Sequence, residues 1–309
     1  MKRQTFLHWF LLAGLCVLQP LDASADTVPE ERELRPGRPV RRPYFVQFGY
    51  EPRQRFRSDF EDADGSLRMT DHHHRVALLV PLERRGIFSL TLSHYRHDYA
   101  FRGLDVEGAL PQRAYTHGVS AMYAGRLSGD WSTYSMGHVR TTAESGASLS
   151  DAVYGGGVLT VQHPIRENLQ LGVGVLAAAR LDTGPLVIPI ASVRWNITDR
   201  LLLETQRGLH VRYALDPAGR WTASWNAEYF SRYVRLNDAG VAPGGMLRTR
   251  AFQSGFSLLY QPNPGMALGL DLEIAPGMKV TLKDGDRHTV LNEKLEPGIA
   301  VAAQIRISL

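Results

Sequence analysis

From Ile299 to Leu309 the chain alternates without a fault. Ile299, Val301, Ala303, Ile305, Ile307 and Leu309 fall on one side of an extended backbone, and Ala300, Ala302, Gln304, Arg306 and Ser308 on the other. Successive side chains of a strand face opposite sides of a sheet, so this segment has one apolar face and one small or polar face. Its length is about the ~9–11 residues that a tilted strand needs to cross a bilayer. A chain that ends on such a strand behind a signal peptide is expected to be a bacterial outer-membrane barrel. Its last strand would be the one engaged by the barrel assembly machinery.

The beginning of the chain agrees with that address. Lys2 and Arg3 precede an apolar stretch from Phe6 to Leu18, and Ala23-Ser24-Ala25 supplies the small residues a signal peptidase reads before Asp26. Residues 1–25 are therefore expected to be a cleaved secretory signal peptide, too short in its apolar run to anchor a membrane protein. Cys16, the sole cysteine, lies inside that run with Leu15 before it, where a lipid-anchored cysteine needs a small neighbour. Once the peptide is removed, no disulfide or thiolate chemistry is left to the chain. Residues 26–42, rich in Pro, Arg and Glu and without a period, read as a flexible periplasmic lead-in. Residues 43–309 form the expected barrel. Nothing after residue 25 approaches the ~18 apolar residues of a membrane helix, and barrels escape that criterion because only every second residue meets lipid. The formal net charge of +4 is mild and points away from nucleic acid as a partner.

Alternation recurs along the rest of the chain. Tyr44, Val46, Phe48 and Tyr50 share a face; so do Val76, Leu78, Val80 and Leu82, then Phe88, Leu90 and Leu92. Leu169, Leu171, Val173 and Val175 oppose Gln170, Gly172 and Gly174; Trp221, Ala223, Trp225, Ala227, Tyr229 and Tyr233 oppose Thr222, Ser224, Asn226, Glu228 and Arg232; Met266, Leu268, Leu270, Leu272 and Ile274 oppose Gly269, Asp271 and Glu273. Near Tyr115, Trp131 and Val153 glycine and alanine blur both faces. A soluble sandwich can alternate too. These segments, however, run ~10–15 residues against the ~5–6 usual in globular sheets. Aromatic residues also gather at their ends, as rings suited to the two bilayer interfaces.

Links between segments alternate short and long. Short ones fall at Glu83–Gly86, Leu127–Asp130, Pro164–Asn168, Asn196–Asp199, Asp216–Gly219 and Gln261–Gly265; long ones at Glu51–Thr70, Arg102–Arg113, Asn237–Met246 and Pro276–Pro297. Outer-membrane barrels keep short turns in the periplasm and long loops outside. The count is about 14 strands, or about 12 if the short runs Leu201–Thr205 and Leu209–Tyr213 fail to span. A hairpin at Asp284-Gly285-Asp286 is expected to project outward.

The stretch Ile188 to Tyr213, with Trp195, Asn196, Asp199, Leu201, Gly208, Val211 and Tyr213, resembles a family of uncharacterised bacterial outer-membrane β-barrel proteins. Members share a strand ending in Trp, a turn with Asp and a short hairpin returning to a Tyr. They often carry Pro in that hairpin, where this chain has Gln206 and Arg207. The resemblance implies a barrel and an outer-membrane address, and implies no activity.

Several polar clusters have the residue types for chemistry, and each also has a plainer role. His72-His73-His74 offers imidazoles for a metal, yet only His72 and His74 share a face and no carboxylate or cysteine stands at ligand spacing. A polar run at the extracellular rim is the plainer reading. Ser93, His94, His97 and Asp98 invite a hydrolase reading, but Ser93 and His97 on one strand lie about 13 Å apart and cannot pair. Gly155-Gly156-Gly157 sits within a strand rather than a phosphate loop. No metal site, catalytic group or cofactor is expected. Arg180, Arg194, Arg212, Glu228, Arg232, Asp271, Glu273 and Arg306 all fall on polar faces and are expected to line the lumen. They would either pair and fill it or filter solutes. The function expected first is a pore for small polar solutes with a charged lumen. A structural or surface-interaction barrel comes second and a barrel-embedded hydrolase last. Outer-membrane lipid and lipopolysaccharide are the expected surroundings.

Overall fold

The computed structural model describes residues 44–82, 86–104, 110–181, 184–205, 208–239 and 242–309. The expected signal peptide and lead-in lie outside them. Sixteen strands follow in chain order: β1 Phe45–Asp59, β2 Ser66–Leu82, β3 Gly86–Arg102, β4 Arg113–Arg126, β5 Ser132–Glu144, β6 Val153–Arg166, β7 Leu169–Ala178, β8 Leu186–Asn196, β9 Leu201–Glu204, β10 Leu209–Ala214, β11 Trp221–Arg235, β12 Met246–Asn263, β13 Met266–Ala275, β14 Lys279–Lys283, β15 Thr289–Lys294 and β16 Gly298–Ser308. Each of β1 to β12 pairs antiparallel with its successor, β13 pairs with β16, and β16 returns to β1. The wall is thus a closed antiparallel transmembrane barrel of 14 strands. The short runs do form wall strands, β9 and β10, which gives 14, although at 4 and 6 residues they rise only part of the way up the wall.

Closure is what the side-chain pattern demands. In hydrocarbon every backbone N–H and C=O needs a partner, and only a sheet closed on itself supplies one to each strand. The outward set is apolar and accessible, including Val76, Leu92, Val139, Leu159, Val173, Val187, Phe256, Leu270, Ile299 and Ile305. At the periplasmic end Trp221 stacks on Tyr260 with ring centroids 4.4 Å apart, an aromatic pair suited to the interface.

Two links differ from expectation. The stretch Glu51–Thr70 is not a long loop, because β1 and β2 keep pairing up to Asp59 and Ser66. Backbone pairing continues above the lipid once water, rather than acyl chains, meets the outward residues, so polar side chains there do not end a strand. The ribbon β14–β15 does not project freely either. It pairs along Met246–Arg250 of β12 and reaches the end of β1 through the bridge Phe60–Leu295, continuing the wall above the shorter β13. One ribbon face carries Val280 and Leu282, both fully buried, and burying that apolar face is what docks it.

Candidate functional site

The interior can be built level by level from the inward-facing residues. At the end that carries the β14–β15 ribbon the lumen is filled. Phe60, Leu67, Met69, Tyr99 and Phe101 from β1–β3 and their links meet Val234, Leu247 and Ala251 from β11 and β12, with Met278, Val280, Leu282 and Leu295 closing over them. These positions hold apolar residues on the face that carries charge deeper down, so the mouth closes by the same burial that forms an ordinary core.

Below this cap lies a belt of paired charges. Arg232 on β11 reaches Asp71 on β2 with two hydrogen bonds of 3.2 Å, Nη1 to Oδ1 and Nη2 to Oδ2. The two strands stand on different sides of the ring, so this bidentate pair spans the lumen. Asp71 Oδ1 also lies 2.7 Å from His97 Nδ1, and His97 Nε2 lies 2.9 Å from the Thr116 hydroxyl. Thr116 continues to Thr142 at 2.8 Å and Thr142 to the Tyr154 hydroxyl at 3.1 Å. Acid, imidazole and hydroxyl in this order match a hydrolase triad. Thr116, however, is buried and its oxygen already meets Thr142, so the chain braces β2 through β6 rather than presenting a nucleophile. Beside it, Arg53 pairs with Glu51 at 2.6 Å and with Glu273 at 3.1 Å, and Arg55 stands 3.8 Å from the same Glu273.

Towards the opposite end, where the chain closes through Trp221 and Tyr260, the interior has two unlike walls. On β2 to β6, Ala77, Leu79, Ile87, Met122, Tyr134, Met136 and Val158 form a second apolar cluster against which Phe45 and Ile190 pack. Across from it stand polar groups. Arg194 pairs with Glu204 at 3.1 Å, Gln253 donates to Glu228 at 2.8 Å, and Gln304 donates to Asp271 at 3.4 Å. The lower lumen is therefore amphipathic across its width.

Of the expected lumen set, Arg194, Arg212, Glu228, Arg232, Asp271, Glu273 and Arg306 sit on the inward parity of their strands, as the register shows. Arg180 lies beyond the ladder: β7 ends at Ala178, and the Arg180 guanidinium donates to the Gly184 carbonyl within the following link at 3.3 Å. Sequence reasoning missed Glu51, Arg53, Arg55, Asp71 and His97. The signal was present for the first three, because they extend the alternation begun by Gln47 and Gly49. Among the histidines, His73 is buried inside, stacked on Tyr95 at 3.8 Å, while His72 and His74 face outward against Tyr50. Among the described residues no three metal-ligating side chains converge.

Solved structures similar to this chain are barrels. A KdgM porin is 8% identical at a TM-score of 0.35, with 84% of this chain and 99% of that one covered. The Pseudomonas putida toluene transporter TodX is 9% identical at 0.45, with 91% and 92% covered. A Pseudomonas aeruginosa FadL homologue is 10% identical at 0.42, with 85% and 89% covered. These likenesses reach no further than the barrel architecture. No curated protein matches the sequence. The model of a family described as a domain of unknown function, DUF6268, matches residues 42–236, from the start of β1 through the end of β11. That span includes the β8–β10 stretch whose Trp, Asp and Tyr carried the resemblance, and the chain belongs to this family.

Proposed function

We propose that the protein is an outer-membrane channel for small polar solutes, closed in this conformation by the Arg232–Asp71 pair and the apolar cap. The observation that carries the reading is the inward belt of Arg, Asp and Glu bridged across the lumen. Charges inside a barrel stiffen it when they pair and select solutes when they part. On this reading the barrel resides in the bacterial outer membrane, with lipid and lipopolysaccharide against its apolar band. The assembly machinery would engage β16. Arg232→Ala should turn rare conductance steps in planar bilayers into frequent ones. Asp271→Asn with Glu273→Gln should lower cation preference in those steps. A second reading, a structural or surface-interaction barrel without an open pore, is favoured by how completely the belt pairs with itself. A folded Arg232→Ala barrel that stays silent would leave that second reading standing alone.

A further inference from the structure

β9 and β10 hold 4 and 6 residues, whereas their neighbours β8 and β11 hold 11 and 15. The hairpin therefore fills only the periplasmic part of the wall between them. β8 pairs with β9 at Arg194, Trp195 and Asn196, and Val193 exchanges bonds with Thr205 just above. β11 pairs with β10 from Thr222 to Ala227 and no higher. Its next partner on that side is Ala143 of β5, met by Arg235 in a parallel bridge. Upper β11 thus leaves β8 and leans across the lumen, where the Tyr233 ring meets Tyr154 of β6 at 6.1 Å.

The upper edge of β8 is left open. Val193 turns its N–H and C=O toward β9, while Asn196 donates to Asn168 on the β7 side. Backbone direction alternates along a strand, so the polar groups of Val187, Pro189 and Ala191 point into the gap, and among the described residues nothing bonds them. Pro189 fits this position, since a proline within a sheet is confined to an edge where no ladder N–H is needed. Counted from Asn196 at the periplasmic end, Ala191 to Val187 stand about 13 to 23 Å up a band ~25 Å tall, the outer-leaflet half. An open sheet edge does not persist against acyl chains and survives only where protein covers it or water reaches it.

Resting on the reading of the barrel as a channel, we infer that this gap is a wet lateral window. Small amphipathic molecules, an apolar body with one polar group, pass through it between the outer leaflet and the lumen. The axial mouth above is filled by the apolar cap, so the side wall is the way in from outside. Behind the window the inward face carries Val158, Leu176, Ile188 and Ile190 for the apolar body. Glu228 on β11, just above the last residue paired with β10, faces the lumen at the height of the gap for the polar group. On the β6–β8 side Gln162 and Ser192 bond each other, which leaves few polar groups there for a sugar, and a pure hydrocarbon has no use for the charges.

The window can be shut and reopened in one folded protein. With the sole cysteine, Cys16, in the expected signal peptide, Ala191→Cys on β8 and Tyr229→Cys on β11 are unique thiols. A flexible thiol-reactive linker with an internal disulfide joins them across the gap. The probe is N-phenyl-1-naphthylamine, an apolar amine whose fluorescence reports passage across the outer membrane of producing cells. Bridging is expected to return its entry to the level of cells without the protein, and reducing the linker to restore it. Conductance steps in planar bilayers, which on the channel reading open along the axis when the Arg232–Asp71 pair and the cap part, should be the same in the bridged protein and the unbridged one. Entry that ignores the bridge while conductance persists overturns the window and spares the channel. Loss of both probe entry and conductance in the unbridged double variant, with wild-type gel mobility, overturns the channel as well. Thiols that the linker cannot join in the folded protein, because another chain covers the β8 edge, also overturn the window.

Discussion

Leu270→Arg tests which face of the wall meets lipid. Leu270 is 61% exposed on the outside of β13, between Leu258 of β12 and Ala303 of β16 in the register. Measured along the strand from Met266 with ~3.4 Å per residue and a tilt of ~40°, it stands about 10 Å above the periplasmic end. That is close to the middle of a band ~25 Å tall, where arginine facing lipid costs about 2–4 kcal/mol, falling to about 0–1 at the interface. Met266→Arg on the same face at the strand end should therefore be mild, and the difference between the two variants is the quantity of interest. If water rather than acyl chains wetted this face, both substitutions would stay within about 0.5 kcal/mol of wild type. The assay is reversible folding of urea-denatured protein into phospholipid vesicles, followed by tryptophan fluorescence and by the mobility of unheated samples in gels. Equal costs at Met266 and Leu270 would refute the assignment of inside and outside.

Gly174→Ala should block assembly, because a Cβ there collides with the Leu159 carbonyl oxygen, whereas Gly137→Ala, with its nearest atom 4.0 Å away, should insert and fold with wild-type yield. Comparable yields of heat-modifiable protein would contradict the close approach of β6 and β7. Leu282→Ala removes a fully buried side chain of the cap and should cost about 2–5 kcal/mol in the same folding assay. It should also raise conductance; an unchanged midpoint would mean that the ribbon is not packed onto the mouth.

The architecture was legible because lipid imposes period-two apolarity on every crossing strand, and β7, β13 and β16 carry it without interruption. Where the interior side chains are small the pattern weakened: β6 has Gly155, Gly156 and Gly157, and its two faces differ little in hydropathy. The upper parts of β1 and β2 were read as a loop because the outward residues there are polar. Sequence polarity marks the end of the lipid and not the end of the sheet. The same error hid the belt. Asp71 stands two residues from His73 on one strand, while its partners His97 and Arg232 arrive from β3 and β11 across register that local spacing cannot give. The shortness of the runs at Leu201 and Leu209 was visible, but their meaning depended on how far β8 and β11 rise on either side. Pro189 was the one local sign that an edge stands there.

The seam where β16 meets β1 pairs Gln47 with Ser308 and Arg55 with Ala300. Such contacts join residues 261 apart in the chain, as for the Gln47–Ser308 side-chain bond. Their loop-closure entropy is recovered only when the intervening hairpins have already curled into an arc. The ring is therefore an all-or-none object: until β16 docks, both β1 and β13 offer bare edges, each a template for a neighbour's strand. A chain that stalls or is clipped before Gly298 would carry two sticky margins rather than one missing stave. Its fate in the periplasm would be set by how quickly a chaperone or a protease reaches those margins.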